Sequence, residues 1–154
     1  MMNIVLSNGY CAIVDDDDYK LLSKYHWTFH PSGYAYRHER HAGKQVKIYM
    51  HHQIYGIKTR IDHKDGNGLN NQKYNLRPCT QQQNCCNQRM QTRPKSSRFK
   101  GVCWDKNKNK WLASIQVNCK QYFIGRFISE KEAALAYNQA AFKLHGEYAR
   151  INSM

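Results

Sequence analysis

The middle of the chain reads Ile61-Asp-His-Lys-Asp-Gly-Asn-Gly-Leu-Asn-Asn-Gln-Lys-Tyr-Asn-Leu-Arg77. Its first three residues, Ile61-Asp-His63, are typical of a short strand, and the glycines from Lys64 to Leu69 indicate a loop. Downstream, Thr80-Gln-Gln-Gln83 fits a capping box, which predicts a helix from there to about Met90. The segment therefore predicts a strand, a polar loop and a helix, with polar side chains at motif spacing.

Asp62 and His63 offer two of the groups that phosphodiester hydrolysis needs. His63 can act as a general base because the reference pKa of histidine lies near neutrality. Asp62 offers a hard carboxylate oxygen, which suits a magnesium ion that neutralises charge on the scissile phosphate. Neighbours on a flat strand point to opposite faces, so both side chains reach one cleft only if the strand end twists or turns. Taken singly, a surface histidine and a turn carboxylate are the simpler interpretations.

The complete pattern resembles the H-N-H endonucleases of phage and intron type. The resemblance rests on Ile61-Asp-His-Lys-Asp-Gly-Asn67, on Asn70-Asn-Gln-Lys-Tyr-Asn-Leu-Arg77, and on Thr80 and Asn84 in the predicted helix. The upstream Tyr49-Met-His51 is also similar to the family. The resemblance implies a strand-strand-helix (ββα-metal) module that cleaves DNA with one divalent metal ion.

The resemblance also implies a role for each matched residue. It makes His63 the general base, Asp62 and Asn84 the metal ligands, and Asn75 the residue that orients His63 through a backbone or side-chain hydrogen bond. His51 has a supporting role, either in binding phosphate or in holding the fold. Many family members carry histidine where this chain has Asn84. An amide oxygen at that position favours magnesium or manganese over a softer metal.

Three strands and a helix are predicted after a basic linker at residues 91–97. The predicted strands are Phe99–Trp104, Trp111–Val117 and Lys120–Gly125. Ser129-Glu-Lys-Glu132 is a second capping box, and it predicts a helix that runs to about Leu144 and ends at Gly146. The helix face predicted to pack on the sheet consists mostly of small residues: Ala133, Ala136, Tyr137, Ala140 and Leu144.

This part resembles the plant ethylene-response-factor (APETALA-type) DNA-binding domain. The matching runs are Ser97-Arg-Phe-Lys-Gly-Val102, Lys110-Trp-Leu-Ala-Ser-Ile115, Ile124-Gly-Arg-Phe127, Glu132-Ala-Ala-Leu-Ala-Tyr-Asn138 and Lys143-Leu-His-Gly146. The resemblance implies a sheet that enters the major groove of duplex DNA. Gln116, Gln121 and Phe123 stand where the plant proteins carry Arg, Arg and Trp, so the plant target sequence is not carried over. Glutamine can still read adenine.

The candidate DNA contacts fall into two groups. Phosphate contacts position a protein on DNA without specifying sequence, and we assign them to Arg93, Lys95 and Arg98. The remaining candidates on the predicted sheet are Lys100, Trp104, Gln116 and Gln121. We expect Trp111, Phe127 and Tyr137 to belong to the core instead.

The N-terminal part predicts a small antiparallel sheet with strands at residues 3–14, 25–29, 34–37 and 45–49 and a short helix at residues 19–23. Its predicted core is aromatic: Tyr25, Trp27, Phe29, Tyr34 and Tyr36. The predicted fold class is therefore α+β, with this sheet and the ββα-metal module followed by a three-stranded sheet packed on one helix. The predicted domains are a nuclease domain at 1–90, the linker at 91–97 and a DNA-binding domain at 98–154.

Composition favours a nucleic-acid partner. Lys and Arg total 24 against 11 Asp and Glu, and the net charge is +13. Such an excess repels itself unless a polyanion is bound, although a ribosome-like or merely soluble basic protein shares this property. The six cysteines form no C-x-x-C pair, which speaks against a structural zinc site. With no signal peptide and no long apolar run, we expect a cytoplasmic protein that binds no membrane, in a prokaryotic or phage-infected cell.

These features together predict a site-preferring DNA endonuclease, of the kind found as mobile or homing enzymes in phage and prokaryotes. A single site in a monomer predicts nicking, whereas a homodimer could cut both strands. Two alternatives stay open. One is a non-catalytic, sequence-specific DNA-binding regulator, and the other is a protein that binds or cleaves RNA.

Overall fold

The computed structural model describes residues 1–56, 60–88, 96–118 and 120–154. The chain forms two compact units, Met1–Thr80 and Gln81–Met154. Two of the predicted phosphate contacts, Arg93 and Lys95, and most of the predicted linker lie outside the described residues. Within the described residues, no helix combines the length and apolar character needed to cross a membrane. The mixture of small antiparallel sheets and helices confirms the α+β fold class.

The first unit consists of short strands joined by tight turns. A two-stranded sheet pairs β1 with β2, a three-stranded sheet has the order β3-β4-β5, and β6 pairs with β7; every pairing is antiparallel. In chain order the elements are β1 (Met2–Val5), β2 (Cys11–Val14), α1 (Asp16–Leu22), β3 (Thr28–Phe29), β4 (Ala35–His41), β5 (Lys44–Tyr49), α2 (Met50–Tyr55), β6 (Ile61–His63) and β7 (Leu76–Pro78).

The core of the first unit is mainly aliphatic, not aromatic. Its buried members are Ile4, Leu6, Ala12, Val14, Leu22, Trp27, Ala35 and Met50. Of the five aromatic residues predicted to fill it, only Trp27 is fully buried, and its indole N–H donates to the Leu22 carbonyl over 2.8 Å. Tyr25 is exposed instead, with the guanidinium of Arg37 lying 4.1 Å from its ring centre. Sheets of two and three short strands offer too little covered area to bury five large rings.

The second unit is a three-stranded sheet covered by one long helix. The strand order is β10-β9-β8, and all pairs are antiparallel. The elements are α3 (Gln81–Asn87), β8 (Val102–Asp105), β9 (Lys110–Val117), β10 (Lys120–Phe127) and α4 (Glu130–His145), followed by a 3₁₀ turn at Gly146–Tyr148.

Both predicted ends of α4 are confirmed. The capping box at Ser129 and Glu132 is formed, and Gly146 is the C-cap. The predicted buried face was partly wrong, because the residues that pack on the sheet are Ala133, Ala134, Tyr137 and Ala141, while Leu144 is 49% exposed. The small residues let α4 lie close on the sheet.

Gly101 shows how close this contact is. It has φ +76°, and a side-chain carbon there would lie 2.1 Å from the Tyr137 ring. A residue with a side chain would therefore be both strained and blocked at this position.

Candidate active site and nucleic-acid interface

The β6–β7 hairpin places the motif residues in a buried setting. Asp62 lies directly opposite Arg77, and His63 lies opposite Leu76. All four side chains are buried. Buried polar groups need hydrogen-bond partners, so the partners of Asp62 and His63 define what the site can do.

Asp62 is paired with a buried arginine. Nε of Arg77 donates to Oδ2 of Asp62 over 2.9 Å, and Nη2 donates to the same oxygen over 2.7 Å. Asp62 is 5% exposed and Arg77 is 7% exposed. The structure shows a buried ion pair, which fixes the carboxylate in one orientation.

His63 is oriented by Asn71, a residue that sequence reasoning missed. Oδ1 of Asn71 lies 3.3 Å from Nε2 of His63, and the Asn71 amide nitrogen donates to the Leu69 carbonyl over 3.2 Å. A carbonyl oxygen only accepts, so Nε2 carries the proton and Nδ1 is the basic nitrogen of the ring. The only signal in the sequence was the Asn70-Asn71 doublet inside the matched run.

Burial lowers the pKa of His63 below its ordinary value. The hydrogen bond that Nε2 donates to Asn71 and the charges of Asp65 and Asp62 act in the opposite direction but are outweighed. The imidazole is therefore neutral near pH 7, the state in which it can accept a proton from water.

Aromatic rings enclose the imidazole. The His51 ring stands edge-on to His63 at a centroid distance of 5.1 Å, and the Tyr34 ring lies 5.5 Å from His63. Burial, followed by the charges of His63 and His52, lowers the pKa of His51 to about 3. A neutral His51 offers no positive charge to a phosphate. Of the two roles expected for it, this arrangement favours support of the fold.

The Tyr34 ring lies beside His63, and the charge of Asp62 affects its hydroxyl group. Burial, and after it the Asp62 carboxylate, raises the pKa of Tyr34, whose ring also lies beside His63. The Tyr34 ring therefore packs beside His63, at a strand end that turns immediately after His63. Gly68 lies against the same ring, because a side-chain carbon there would sit 2.6 Å from it.

The loop between β6 and β7 is held from two sides. Asn75 closes it, since its side chain accepts from the Asp65 N–H over 3.0 Å and donates to the Asn70 carbonyl over 2.7 Å. Its own carbonyl accepts from the Lys64 N–H over 2.9 Å. Asn75 thus fixes the backbone that directly follows His63, and a direct role in orienting His63 stays a prediction.

The other side of the loop is tied to the N-terminal sheet. The Asn71 N–H donates to the Ile13 carbonyl over 2.7 Å, and the Ile13 N–H donates to the Leu69 carbonyl over 2.8 Å. Asp15 adds an anchor by accepting from the Lys73 N–H over 2.8 Å. The backbone of Asn71 is therefore fixed from outside the loop.

The predicted metal ligands differ in setting. Asp62 provides a hard carboxylate oxygen in a buried position, which is the donor type that magnesium and manganese prefer. Asn84 lies on α3 in the second unit, where it is partly exposed, and its role as a ligand stays a prediction. No group of three His, Cys, Asp or Glu side chains suited to a metal occurs within the described ranges.

The three-stranded sheet has one face covered by α4 and an opposite, outer face. Ala113 and Ile115 are buried against α4, so the alternate residues of β9 point to the opposite, outer face. Gln116 lies on this outer face, and Gln121 lies directly across from it on β10. Both glutamines are exposed, as a contact with DNA requires.

The other candidate DNA contacts are placed differently. Trp104 lies opposite Trp111, which packs against the core, so its register puts it on the face that α4 covers. Lys100 donates to the carbonyls of Cys86 and Gln88 over 2.6 and 3.0 Å, which directs its ammonium to the end of α3. Burial lowers the pKa of Lys100. Arg98 is exposed.

The predicted core residues of this unit behave as expected. Tyr137 is buried, and Trp111 and Phe127 are partly buried against the core.

Comparison with known proteins finds one family for the C-terminal part and relatives that cover more of the chain. Residues 97–147 match the AP2 domain family, which confirms the APETALA-type resemblance. The chain is 33% identical over 154 residues to the uncharacterized HNH endonuclease L560 of Acanthamoeba polyphaga mimivirus, covering 95% of this chain and 76% of that protein. It is also 37% identical over 94 residues to Protein 3.8 of Escherichia phage T7, covering 59% of this chain and 74% of that protein.

Proposed function

Because this chain belongs to the HNH endonuclease family, we propose that it is a metal-dependent DNA endonuclease with a preferred target site. The observation that carries the proposal is the imidazole of His63, buried at the end of β6 and held by Asn71, with the neighbouring Asp62 also buried. The AP2 domain supports duplex DNA as the partner.

The proposed reaction is hydrolysis of one phosphodiester bond. Nδ1 of His63 takes a proton from a water molecule, whose oxygen attacks phosphorus while the bond to the 3′ oxygen breaks. The hydrogen bond between Nε2 and Asn71 leaves Nδ1, the basic nitrogen of His63, turned away from the Asn71 amide. The rings of His51 and Tyr34 restrict the movement of the imidazole.

A divalent magnesium or manganese ion would neutralise charge on the scissile phosphate and on the leaving oxygen. Asp62 is the ligand that the first unit offers, and Arg77 keeps its carboxylate in one orientation. The family resemblance adds Asn84 as the second ligand. Asn75 maintains the loop that follows His63.

The relatives support a biological setting for this proposal. Both come from viruses, one of them a phage, which supports the role of a mobile endonuclease acting in an infected cell. We expect a monomer to nick one strand and a homodimer to cut both.

A DNA-binding regulator without catalysis is the second candidate. It is favoured by the open outer face of the AP2 sheet, which can bind DNA without any contribution from His63. The two candidate functions differ in the effect of magnesium, because an endonuclease cleaves DNA when magnesium is added and a regulator does not.

The test is conversion of supercoiled plasmid by the full chain, with magnesium and with a chelator. We expect open-circle or linear product only with magnesium, and duplex binding in both conditions. A protein that binds the plasmid but leaves it supercoiled with magnesium and with manganese supports the regulator. Stronger competition by duplex RNA than by duplex DNA would contradict the assignment of DNA as substrate.

A further inference from the structure

We propose that the outer face of the AP2 sheet reads an A·T-rich core in the target site, with Gln116 and Gln121 on adenine and Phe123 on a thymine methyl group. This inference rests on the proposed function, since it names the sequence class of the same DNA duplex. It departs from the plant proteins, which carry Arg and Trp at these positions.

The two glutamines form a directly opposed cross-strand pair. Gln116 on β9 and Gln121 on β10 are partners in the antiparallel register. Opposed residues have Cβ atoms about 5 Å apart on one face of a sheet. Because base pairs stack about 3.4 Å apart, the pair can address the same or adjacent base pairs.

The amide of Gln121 is already oriented. Its Nε2 donates to Oγ of Ser114 over 2.9 Å, and Ser114 lies on the same outer face, one diagonal step away. This bond uses one of the two amide hydrogens. The second hydrogen and the oxygen are the donor and acceptor that match N7 and the N6 amino group of adenine.

Phe123 supplies the apolar contact. It lies directly opposite Ser114, two residues after Gln121, and is 60% exposed. Two residues along a strand span about 7 Å, or about two base-pair steps. The thymine methyl group is the one apolar feature that a base pair presents in the major groove, and aromatic side chains contact it.

Arg126, on β10, is paired with another residue of the sheet. Nε of Arg126 donates to Oδ2 of Asp105 over 2.8 Å, and its guanidinium lies 5.1 Å from the centre of the Phe123 ring. Guanine is most often read by the paired donors of Arg or Lys. Because Nε of Arg126 already donates to Asp105, one of its paired donors is used within the sheet.

The test selects bound sequences from a randomised duplex library with the full chain, in chelator so that binding is read without cleavage. We expect wild type to enrich two or three A·T pairs within a span of about three base pairs. Gln121→Arg should replace one of these adenines by guanine, with a preference change of roughly 5- to 150-fold, the worth of one bidentate contact.

Gln139→Arg is the matched control, because Gln139 is exposed on α4, on the other side of the sheet, and the change adds the same charge. It should leave the selected sequence unchanged. Ser114→Ala should bind with a weaker adenine preference at the position read by Gln121.

Three results would overturn the inference. They are a wild-type site without A·T enrichment, a Gln121→Arg site identical to that of wild type, or the same switch in Gln139→Arg. The first two leave the endonuclease proposal standing, since magnesium-dependent cutting is measured separately on plasmid.

Discussion

Replacing Arg77 by methionine removes the guanidinium that pairs with the buried carboxylate of Asp62. Methionine keeps the approximate length and the apolar stem of the side chain but removes the two hydrogen bonds to Asp62 at 2.9 and 2.7 Å. Because Asp62 is only 5% exposed, water cannot replace them. Removing one partner of a buried pair costs about 3–5 kcal/mol, and we expect a loss of this size in the free energy of unfolding of the first unit.

Native-state hydrogen exchange measures this loss in each unit separately, because the amides of β6 and β7 report the first unit alone. Arg126→Met is the matched control, since Arg126 pairs with Asp105 on the surface of the second unit. Exposed pairs contribute little, so this control should leave the exchange of the second unit close to that of wild type.

The double variant Asp62→Asn with Arg77→Met tests the reasoning further. Removing the carboxylate as well takes away the buried charge that has lost its guanidinium partner, so the double variant should be more stable than Arg77→Met alone. Equal exchange in wild type and Arg77→Met, or no recovery in the double variant, would refute the buried ion pair as a determinant of stability.

Three further variants test other contacts. Asn71→Ala should slow single-turnover cleavage by roughly 3- to 10-fold, the worth of the hydrogen bond to His63. It also removes the bond to the Leu69 carbonyl, but DNA affinity should be unchanged because the predicted DNA contacts lie in the second unit; unchanged cleavage would exclude the orienting role. Gly68→Ala should lower the melting temperature of the first unit, because the new methyl group would lie 2.6 Å from the Tyr34 ring; a wild-type melting curve would contradict this contact. Lys100→Met should speed hydrogen exchange in α3 while leaving β9 protected, and equal exchange in α3 would show that its two carbonyl contacts do not hold the helix.

The sequence predicted elements whose signals are local. β6 was bounded correctly at Ile61–His63, and the ends of α4 at Ser129 and Gly146 followed from capping residues. By contrast, α2 was missed because it begins after Tyr49 without a side-chain cap and continues directly from a strand. β7 was missed because a strand of three residues that ends in Pro78 is defined by its pairing with β6, which no local pattern shows.

The site was predictable as a motif but not as a set of contacts. Asp62 and His63 stood out because they lie at motif spacing from the asparagines downstream. Arg77 showed no sign of burial, because charged residues are seldom buried without a partner. Its partner lies fifteen residues away. Asn71 could not be chosen over its asparagine neighbours, because the path of the loop decides which amide reaches the imidazole.

The central claim is that His63 is the base of a DNA-cleaving site. Its most direct test compares plasmid conversion with magnesium by wild type, His63→Ala and His26→Ala, the last being an exposed histidine outside the site. Removing a general base lowers the rate by about 10²- to 10⁴-fold. We expect cleavage by wild type and His26→Ala and none by His63→Ala, with equal plasmid binding by all three. Cleavage by His63→Ala at the wild-type rate would contradict the account.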